Sequence, residues 1–181
     1  MDDIMGKVLF DQQTLQRRVQ ELGRQITADY QDADCDELVM IGILRGSVPF
    51  MADLIRVIDL PVTIDFMAMS SYAHGTRTSG SVRILKDIND AITDKHVLVV
   101  EDIIDTGLTL KCLTELLEAR KPRSLHICTL LDKPSRRLTE IPVRYRGFEI
   151  PDEFVVGYGL DFAGHYRHLP YVGVLKPEAY A

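Results

Sequence analysis

The sequence has few cysteines, no long apolar run and no excess of positive charge. Cys35, Cys112 and Cys128 are far apart and form no Cys-x-x-Cys pair, so neither a zinc site nor a disulfide framework is supported. No segment approaches the ~18 consecutive apolar residues that cross a bilayer, and the N-terminus lacks the apolar stretch of a signal peptide. We therefore expect a cytoplasmic protein without a membrane partner.

The formal net charge of −6 and the pI of about 5.3 disfavour a dedicated nucleic-acid binder, which usually carries a basic face. Hydrophobic residues make up 46% of the 181 residues and charged residues 27%, an ordinary globular balance. The sequence contains no internal repeat, low-complexity segment or linker. We expect one domain spanning residues 1–181, with no nucleic-acid partner.

Apolar residues recur every three or four positions in three segments, which predicts three helices. The predicted stripes are Leu15, Val19, Leu22, Ile26 and Tyr30; Phe50, Met51, Leu54, Ile55 and Ile58; and Leu110, Leu113, Leu116 and Leu117. Ser47 is expected to cap the second helix, with Pro49 in its first turn.

Short apolar or alternating runs between the helices predict strands. They are Leu38–Leu44, Pro61–Met69, Val82–Leu85, Val97–Val100, Leu125–Leu131, Phe154–Tyr158 and Tyr171–Leu175, while Phe148–Pro151 is interpreted as a connector. In the second run, Val62, Ile64, Phe66 and Ala68 should share one face. Strands that alternate with helices predict an α/β fold with a mainly parallel central sheet covered on both faces. Ligands in such folds bind beyond the carboxyl ends of the strands.

The most informative segment is residues 97–109. A buried apolar run ends in Glu101 and Asp102, and Asp105 precedes Thr106-Gly107-Leu108-Thr109 at the start of a helix. Small residues and hydroxyls at a helix start favour phosphate binding, because free N–H groups and the positive end of the helix dipole face the ligand. Acids beside such a cradle suit a metal, sugar hydroxyls or proton transfer. The segment predicts a site for a phosphorylated, Mg²⁺-bound sugar, and no Walker A loop is present.

Each of these residues also has an ordinary structural interpretation. Glu101 and Asp102 would otherwise be solvated loop acids, which their position after a buried run disfavours. Asp105 is interpreted equally well as a helix N-cap or as a general base. Arg45-Gly46-Ser47 taken alone is a turn, and Lys133 taken alone is a surface lysine.

The histidines predict no metal centre. His165 and His168 are better interpreted as a solvated or hydrogen-bonded pair than as metal ligands. His74, His96 and His126 are expected to form no cluster.

Taken together, these segments resemble the purine phosphoribosyltransferases, in particular their hypoxanthine(-guanine) branch. Residues 99–109 resemble the family's phosphoribosyl-diphosphate signature, and Leu44-Arg45-Gly46-Ser47 resembles its diphosphate loop. Further matching segments are Ser70-Ser71-Tyr72, Leu131-Asp132-Lys133, residues 147–152, Phe154–Asp161 and Tyr166-Arg167. The resemblance implies a type I, Rossmann-like fold with a small hood and a mobile hairpin lid at about 70–81, including Ser71 and Tyr72.

The resemblance also implies a reaction. Hypoxanthine or guanine would attack C1 of 5-phosphoribosyl 1-diphosphate and expel diphosphate, giving IMP or GMP. Asp105 would manage the proton on the purine N7, and Lys133 would donate to the 6-oxygen. Phe154 would stack on the base, and the backbone of Val155 would meet its edge.

The remaining roles concern the sugar, its phosphates and the metal. Glu101 and Asp102 would hold the ribose hydroxyls directly or through Mg²⁺, and Asp161 would bind a second Mg²⁺ on the diphosphate. The implied substrate-binding residues are Arg45, Gly46, Glu101, Asp102, Ile103, Ile104, Asp105, Thr106, Gly107, Leu108, Thr109, Lys133, Phe154, Val155, Asp161 and Arg167. The resemblance further implies a homodimer or homotetramer.

Residues 162–165, Phe-Ala-Gly-His, depart from the pattern of similar enzymes, which often have Tyr first and a polar residue later. We expect this departure to loosen the backbone near Asp161. Two other functions use a similar fold. One is a non-catalytic regulator that senses phosphoribosyl diphosphate or nucleotide, and the other is a receiver-type signalling domain. The first needs a nucleic-acid domain or basic face, and the second leaves Lys133 and Phe154 without a role.

Overall fold

Among the described residues, three α-helices lie between strands along the chain, as predicted. The computed structural model describes residues 4–33, 35–71 and 82–180. The strands are β1 (Met5–Phe10), β2 (Leu38–Ile43), β3 (Val62–Ser71), β4 (Val82–Lys86), β5 (His96–Ile104), β6 (Ser124–Asp132), β7 (Tyr145–Glu149), β8 (Val155–Val156) and β9 (Val172–Leu175). The helices are α1 (Gln12–Gln31), α2 (Val48–Leu54) and α3 (Leu108–Glu118), with 3-10 turns at Pro134–Arg136 and Pro177–Ala179.

Among the described residues, six strands form the main sheet in the order β4-β3-β2-β5-β6-β7. All neighbours in this sheet are parallel except β4, which pairs antiparallel with β3. The mainly parallel sheet is therefore confirmed. The central strands β2 and β5 carry continuous apolar runs because the sheet is covered on both faces. Their carboxyl ends lie beside each other and beside that of β6, which brings the loops that follow them to one edge.

The predicted helix stripes are confirmed in large part, but α2 ends at Leu54, so that Ile55 and Ile58 lie beyond it, and Leu116 of α3 is only half-buried. All five predicted residues of α1 are buried, and its N-cap is Asp11, whose Oδ1 accepts from the Thr14 N–H at 2.8 Å. On the other face of the sheet, Leu110, Leu113 and Leu117 of α3 pack in a second apolar cluster with Val97 and Val99 of β5. In the part of the chain that the structure describes, no helix is both long and apolar enough to span a membrane.

A second, smaller sheet has the antiparallel order β1-β9-β8 and forms the predicted hood. The Leu175 N–H donates to the Phe154 carbonyl at 2.9 Å, so the short strand β8 is tied to β9 from the residue before it. The predicted strand at Phe154–Tyr158 is correct in place but too long, because only Val155–Val156 pair.

Two strand predictions are wrong in detail. The predicted connector at Phe148–Pro151 overlaps β7, an edge strand whose polar Arg146 and Glu149 hide the apolar alternation. In β3, Val62 and Phe66 pack against the same apolar cluster, as the predicted shared face requires, but that face is not evenly buried, because Ile64 is 50% exposed. Both faces of β3 are partly covered: Phe66 packs against one apolar cluster and Met67 belongs to the other. The proposed lid falls almost wholly on residues 72–81, so Tyr72 lies outside the described residues and only the backbone of Ser71, in β3, is described.

Candidate active site

A cavity of about 260 Å³ opens at the carboxyl edge of the main sheet, where the loops after β5 and β6 meet the hood. Its walls come from segments that lie far apart in sequence. The lining residues are Asp102, Ile103, Asp105, Lys133, Phe154, Val155, Leu160 and Asp161. All of them except Leu160 are residues that the sequence singled out, so the fold brings the separate motifs to one place.

The adjacent acids lie inside a strand and not in the loop after it. β5 continues to Ile104 and stays paired with β6, so Glu101 and Asp102 are half-buried strand residues. Asp102 lines the cavity, and its Oδ1 accepts from the Ile103 N–H at 2.8 Å. The expectation that the strand gives way at the acids is therefore wrong, because β6 extends the pairing that β2 no longer supplies.

Burial dominates the electrostatics of this acid pair. It raises the pKa of Glu101 well above the ordinary value, and the adjacent charge of Asp102 adds to the rise. Burial also raises the pKa of Asp102, while the positive charge of Arg167 acts in the opposite direction. Two neighbouring carboxylates with this tendency favour a nearby cation, which would stabilise both charged forms.

The segment after β5 has the geometry of an anion cradle. Gly107 immediately precedes α3 with φ = +82°, and a side chain there would meet Ile141 and Arg137. The hydroxyl of Thr106 accepts from the Leu108 N–H at 3.4 Å, and α3 then presents its first-turn amides, including that of Thr109. The local structure fits the predicted phosphate loop.

Asp105 does not cap this helix. The N-cap position is taken by Gly107, and the Asp105 carboxylate instead accepts from Arg136 Nε at 3.1 Å. The capping interpretation is therefore wrong. Asp105 faces the cavity with its charge partly balanced by Arg136, and Asp152 lies 3.6 Å from the same guanidinium.

Lys133 is a buried lysine and not a surface one. It is only 8% exposed, and its Nζ lies 3.6 Å from Asp152 Oδ1. Its backbone N–H donates to the Ile104 carbonyl at 3.0 Å. A buried ammonium requires polar partners. Because the ammonium has three N–H donors and its 3.6 Å distance to Asp152 is longer than a hydrogen bond, the Nζ of Lys133 retains capacity to donate into the cavity.

The loop after β2 packs directly against the acids. A Cβ on Gly46 would overlap the carboxylate of Asp102, and a Cβ on Gly159, where φ is +102°, would overlap the carbonyl of Gly46. Arg45 is exposed, and the Leu44–Arg45 peptide bond is cis. Close backbone packing therefore places the predicted diphosphate loop beside Asp102.

Ser47 does not act as a side-chain cap. It occupies the N-cap position of α2 with helical backbone angles, and its buried hydroxyl donates to the Ile43 carbonyl at 2.6 Å. The predicted capping bond is therefore wrong, whereas Pro49 does lie in the first turn. The hydroxyl ties the loop back to the end of β2.

Asp161 is held by two contacts. Its Oδ1 pairs with Arg167 Nη2 at 2.6 Å and its Oδ2 accepts from the Gly164 N–H at 2.8 Å. Residues 162–165 close into a turn through reciprocal bonds between Phe162 and His165, of 3.2 and 3.0 Å. The unusual segment is therefore anchored and not loose, because its small Gly164 accepts φ = +83° and brings its N–H to Asp161.

The wall of the cavity at Phe154 is aromatic. The Phe154 ring is 37% exposed, stacks on Tyr180 with ring centroids 5.1 Å apart and meets the edge of Phe162 at 5.6 Å. Val155 and Leu160 beside it are buried. This surface offers a flat apolar contact to a planar ligand.

Sequence reasoning missed Leu160, Arg136 and Asp152 as parts of this site. Leu160, which lies between Gly159 and Asp161, could have been recognised, since a leucine in an otherwise polar turn indicates an apolar contact. Arg136 had no such signal, because an arginine in a Pro-Ser-Arg-Arg turn is usually solvated.

Two histidines lie together at the opposite end of the sheet, contrary to expectation. His96 and His126 both contact the Tyr30 ring edge-on, and both line a cavity of about 100 Å³ together with Arg144 and Tyr145. His126 Nδ1 is 3.0 Å from the Tyr30 hydroxyl and its Nε2 is 3.0 Å from Arg144. Strand pairing between β5 and β6 produces this proximity, which spacing in the sequence does not reveal.

Comparison with known proteins identifies the family of this chain. The family model for the phosphoribosyl transferase domain matches residues 6–163. The hypoxanthine phosphoribosyltransferase of Haemophilus influenzae is 57% identical over 171 residues, covering 94% of this chain and 96% of that protein. The hypoxanthine-guanine phosphoribosyltransferase of Staphylococcus aureus is 52% identical, covering 100% of this chain and 99% of that protein.

A solved structure of the hypoxanthine phosphoribosyltransferase from Trypanosoma cruzi, in complex with the product IMP, superposes with a TM-score of 0.93. It is 39% identical in sequence, and the match covers 99% of each chain. The fold of this chain therefore agrees with that of this solved structure. This chain belongs to the phosphoribosyltransferase family, in its hypoxanthine(-guanine) branch.

Proposed function

We propose that this protein is a purine-salvage enzyme that transfers the 5-phosphoribosyl group from 5-phosphoribosyl 1-diphosphate to hypoxanthine, guanine or both. The products are IMP or GMP and diphosphate. One observation carries the proposal: a single cavity joins an acid (Asp105), a buried lysine (Lys133) and a flat aromatic wall (Phe154) beside a phosphate cradle. The names of the close relatives support the same reaction.

The base is recognised through three contacts. Phe154 stacks on the purine ring, and Lys133 donates from its Nζ to the 6-oxygen, which selects 6-oxopurines. The burial of Lys133 makes this contact selective, because a purine without the 6-oxygen leaves a buried ammonium poorly paired. The backbone of Val155 meets the edge of the ring.

Asp105 manages the proton on N7 as another ring nitrogen attacks C1. A carboxylate within hydrogen-bond reach of the purine accepts this proton as the new bond forms. In the described structure Asp105 pairs with Arg136 at 3.1 Å. That pairing orients the carboxylate at the cavity wall.

The ribose and its phosphates occupy the edge formed by the loops after β2 and β5. The amides of residues 105–109 bind the 5′-phosphate, and Glu101 and Asp102 hold the ribose hydroxyls. The loop at Arg45-Gly46, with Arg167, neutralises the diphosphate as it leaves. Removing one fixed donor from such a site typically costs about 10²–10³ in rate.

Mg²⁺ is the proposed cofactor, and the acid pair fits it. Within residues 4–33, 35–71 and 82–180, no three His, Cys, Asp or Glu side chains form a group able to hold a metal by themselves. Mg²⁺ commonly uses only one or two carboxylates and completes its shell with substrate oxygens and water. Glu101 and Asp102 would hold it, and when bound it would stabilise negative charge on the substrate. Asp161 is a less open ligand, since both its oxygens already have partners.

The test is an assay for coupled nucleotide and diphosphate formation. The protein is incubated with 5-phosphoribosyl 1-diphosphate, Mg²⁺ and hypoxanthine, guanine or xanthine in turn, with adenine as the control base. We expect IMP or GMP and diphosphate in equal amounts, with little product from adenine. Absence of nucleotide with all three 6-oxopurines would refute the proposal. Comparison of kcat/KM ranks the bases, and sedimentation analysis tests the proposed homodimer or homotetramer.

A further inference from the structure

The ring of Tyr180 lies against the aromatic wall of the cavity without lining the cavity itself. Tyr180 and Phe154 stack with centroids 5.1 Å apart and planes inclined by 28°. Phe154 is among the residues that line the cavity, and Tyr180 is not. Tyr180 therefore contacts the Phe154 ring from outside the set of residues that line the cavity.

The chain reaches this position through the hood. β9 passes beside the backbone of Phe154, where the Leu175 N–H donates to its carbonyl at 2.9 Å. The 3-10 turn Pro177–Ala179 then reverses the direction, and the Tyr180 N–H donates to the Pro177 carbonyl at 3.2 Å. The hydrogen bond from Leu175 fixes the backbone of Phe154, and the turn places the ring of Tyr180 against the Phe154 side chain.

The contact matters because Phe154 is otherwise weakly held. Its ring is 37% exposed, and its other aromatic neighbour, Phe162, touches it only edge-on at 5.6 Å. An exposed ring loses rotamer entropy when a bound ligand orders it, and this loss weakens binding. A ring already stacked on Tyr180 has lost that freedom before the ligand arrives.

We propose that Tyr180 is a positioning residue for the purine, which holds the Phe154 ring in the orientation that stacks on the base. The inference rests on the proposed function, because it requires a planar base in this cavity. The bound arrangement is a stack of three rings: Tyr180, Phe154 and the purine. Tyr180 itself touches no substrate.

The test is steady-state kinetics of Tyr180→Ala with each substrate varied while the other is saturating. We expect the KM for hypoxanthine and for guanine to rise roughly two- to tenfold, the range of an aromatic pair. The KM for 5-phosphoribosyl 1-diphosphate and kcat should stay at the wild-type values, because Tyr180 acts through Phe154 and does not line the cavity. Tyr180→Phe should retain the wild-type KM for both bases, since it keeps the ring and loses only the hydroxyl.

Two further variants make the result decisive. Glu178→Ala, an exposed change in the same 3-10 turn, is the matched control and should leave every constant unchanged. Tyr180→Leu keeps apolar volume without a flat ring and should also raise the KM for the bases, which guards against poor folding of the alanine variant. An unchanged KM for the bases in Tyr180→Ala and Tyr180→Leu, or an equal rise for both substrates, overturns the inference while the proposed function stands. Absence of transfer by the wild-type protein overturns both.

Discussion

Asp105 is the residue on which the proposed chemistry depends most directly. Asp105→Asn keeps the shape of the side chain but removes its capacity to take a proton. We expect kcat to fall by roughly 10² to 10⁴, while the affinity for IMP, measured by calorimetry, survives because the phosphate cradle and Lys133 remain. Asp36→Asn, an exposed acid far from the cavity, is the control and should behave as wild type. Unchanged turnover in Asp105→Asn would remove this residue from the mechanism.

Lys133 should determine which bases are accepted. Lys133→Met keeps most of the buried stem and removes the charged donor. We expect kcat/KM for hypoxanthine to fall roughly ten- to hundredfold, the range for a hydrogen bond from a charged group. The loss should be much smaller for a purine that lacks the 6-oxygen, so the measured quantity is the ratio of the two kcat/KM values. An equal loss with every base would contradict the assigned role.

At the scale of elements, the site depends on how closely the loop after β2 approaches β5. Gly46 lies against the carboxylate of Asp102, and Gly159 lies against the Gly46 carbonyl. Gly46→Ala should displace Asp102, raise the KM for 5-phosphoribosyl 1-diphosphate and lower the free energy of unfolding by about 1–3 kcal/mol, as overpacking does. The KM values and denaturant melts check both effects. Unaltered kinetics together with an unaltered melt would show that the close approach is not required.

The helices and the central strands are predictable from the sequence because the burial of one face or of both faces sets the spacing of their apolar residues. α1, whose five predicted stripe residues are all buried, shows the 3.6-residue period over its full length. β2 and β5 show continuous apolar runs because both faces of the sheet are covered. The edge strands β1 and β7 escaped prediction, since solvent on one side lets residues such as Lys7 and Arg146 interrupt the pattern.

The site was predictable to the extent that it lies at strand ends. Glu101, Asp105 and Lys133 each follow an apolar run, so topology alone places them at one edge. Contacts between side chains that are distant in sequence produce no pattern in the sequence that would predict them. The pairing of Arg136 with Asp105, and the stacking of Tyr180 on Phe154, depend on turns whose direction the sequence pattern does not state.

For the whole molecule, the histidine pair links stability to pH. Burial lowers the pKa of His96 and of His126 below 6.5, and the nearby charges of Arg123 and Arg144, respectively, lower them further. Asp29 acts the other way on His126, and Tyr30 and Tyr145 line the same cavity. A lowered folded-state pKa means that the unfolded chain binds protons more readily, so this contribution is present above pH 6.5 and is lost as the pH falls through the folded-state values.

We therefore expect this histidine contribution to the free energy of unfolding to decrease as the pH falls from 7.5 to 5.5, the range in which histidine titrates. Denaturant melts of His96→Gln/His126→Gln should show a flatter dependence on pH than the wild type. His168→Gln, an exposed histidine, is the matched control. The raised pKa values of Glu101 and Asp102 act in the opposite sense, stabilising the fold as the pH falls, and they are common to all three proteins. Parallel pH profiles for the double variant and the wild type would disprove the linkage.

The acid pair inside β5 has a further consequence for the lifetime of the protein in a cell. Folding places two acidic side chains next to each other in a half-buried strand. The free energy of unfolding of the protein without ligand is therefore lower than its apolar core alone would give. If 5-phosphoribosyl 1-diphosphate binds there with Mg²⁺, as proposed, the cation should offset that repulsion, and a ligand that binds only the native state stabilises it. Protease half-lives measured with and without 5-phosphoribosyl 1-diphosphate and Mg²⁺ should therefore differ more for the wild type than for Glu101→Gln.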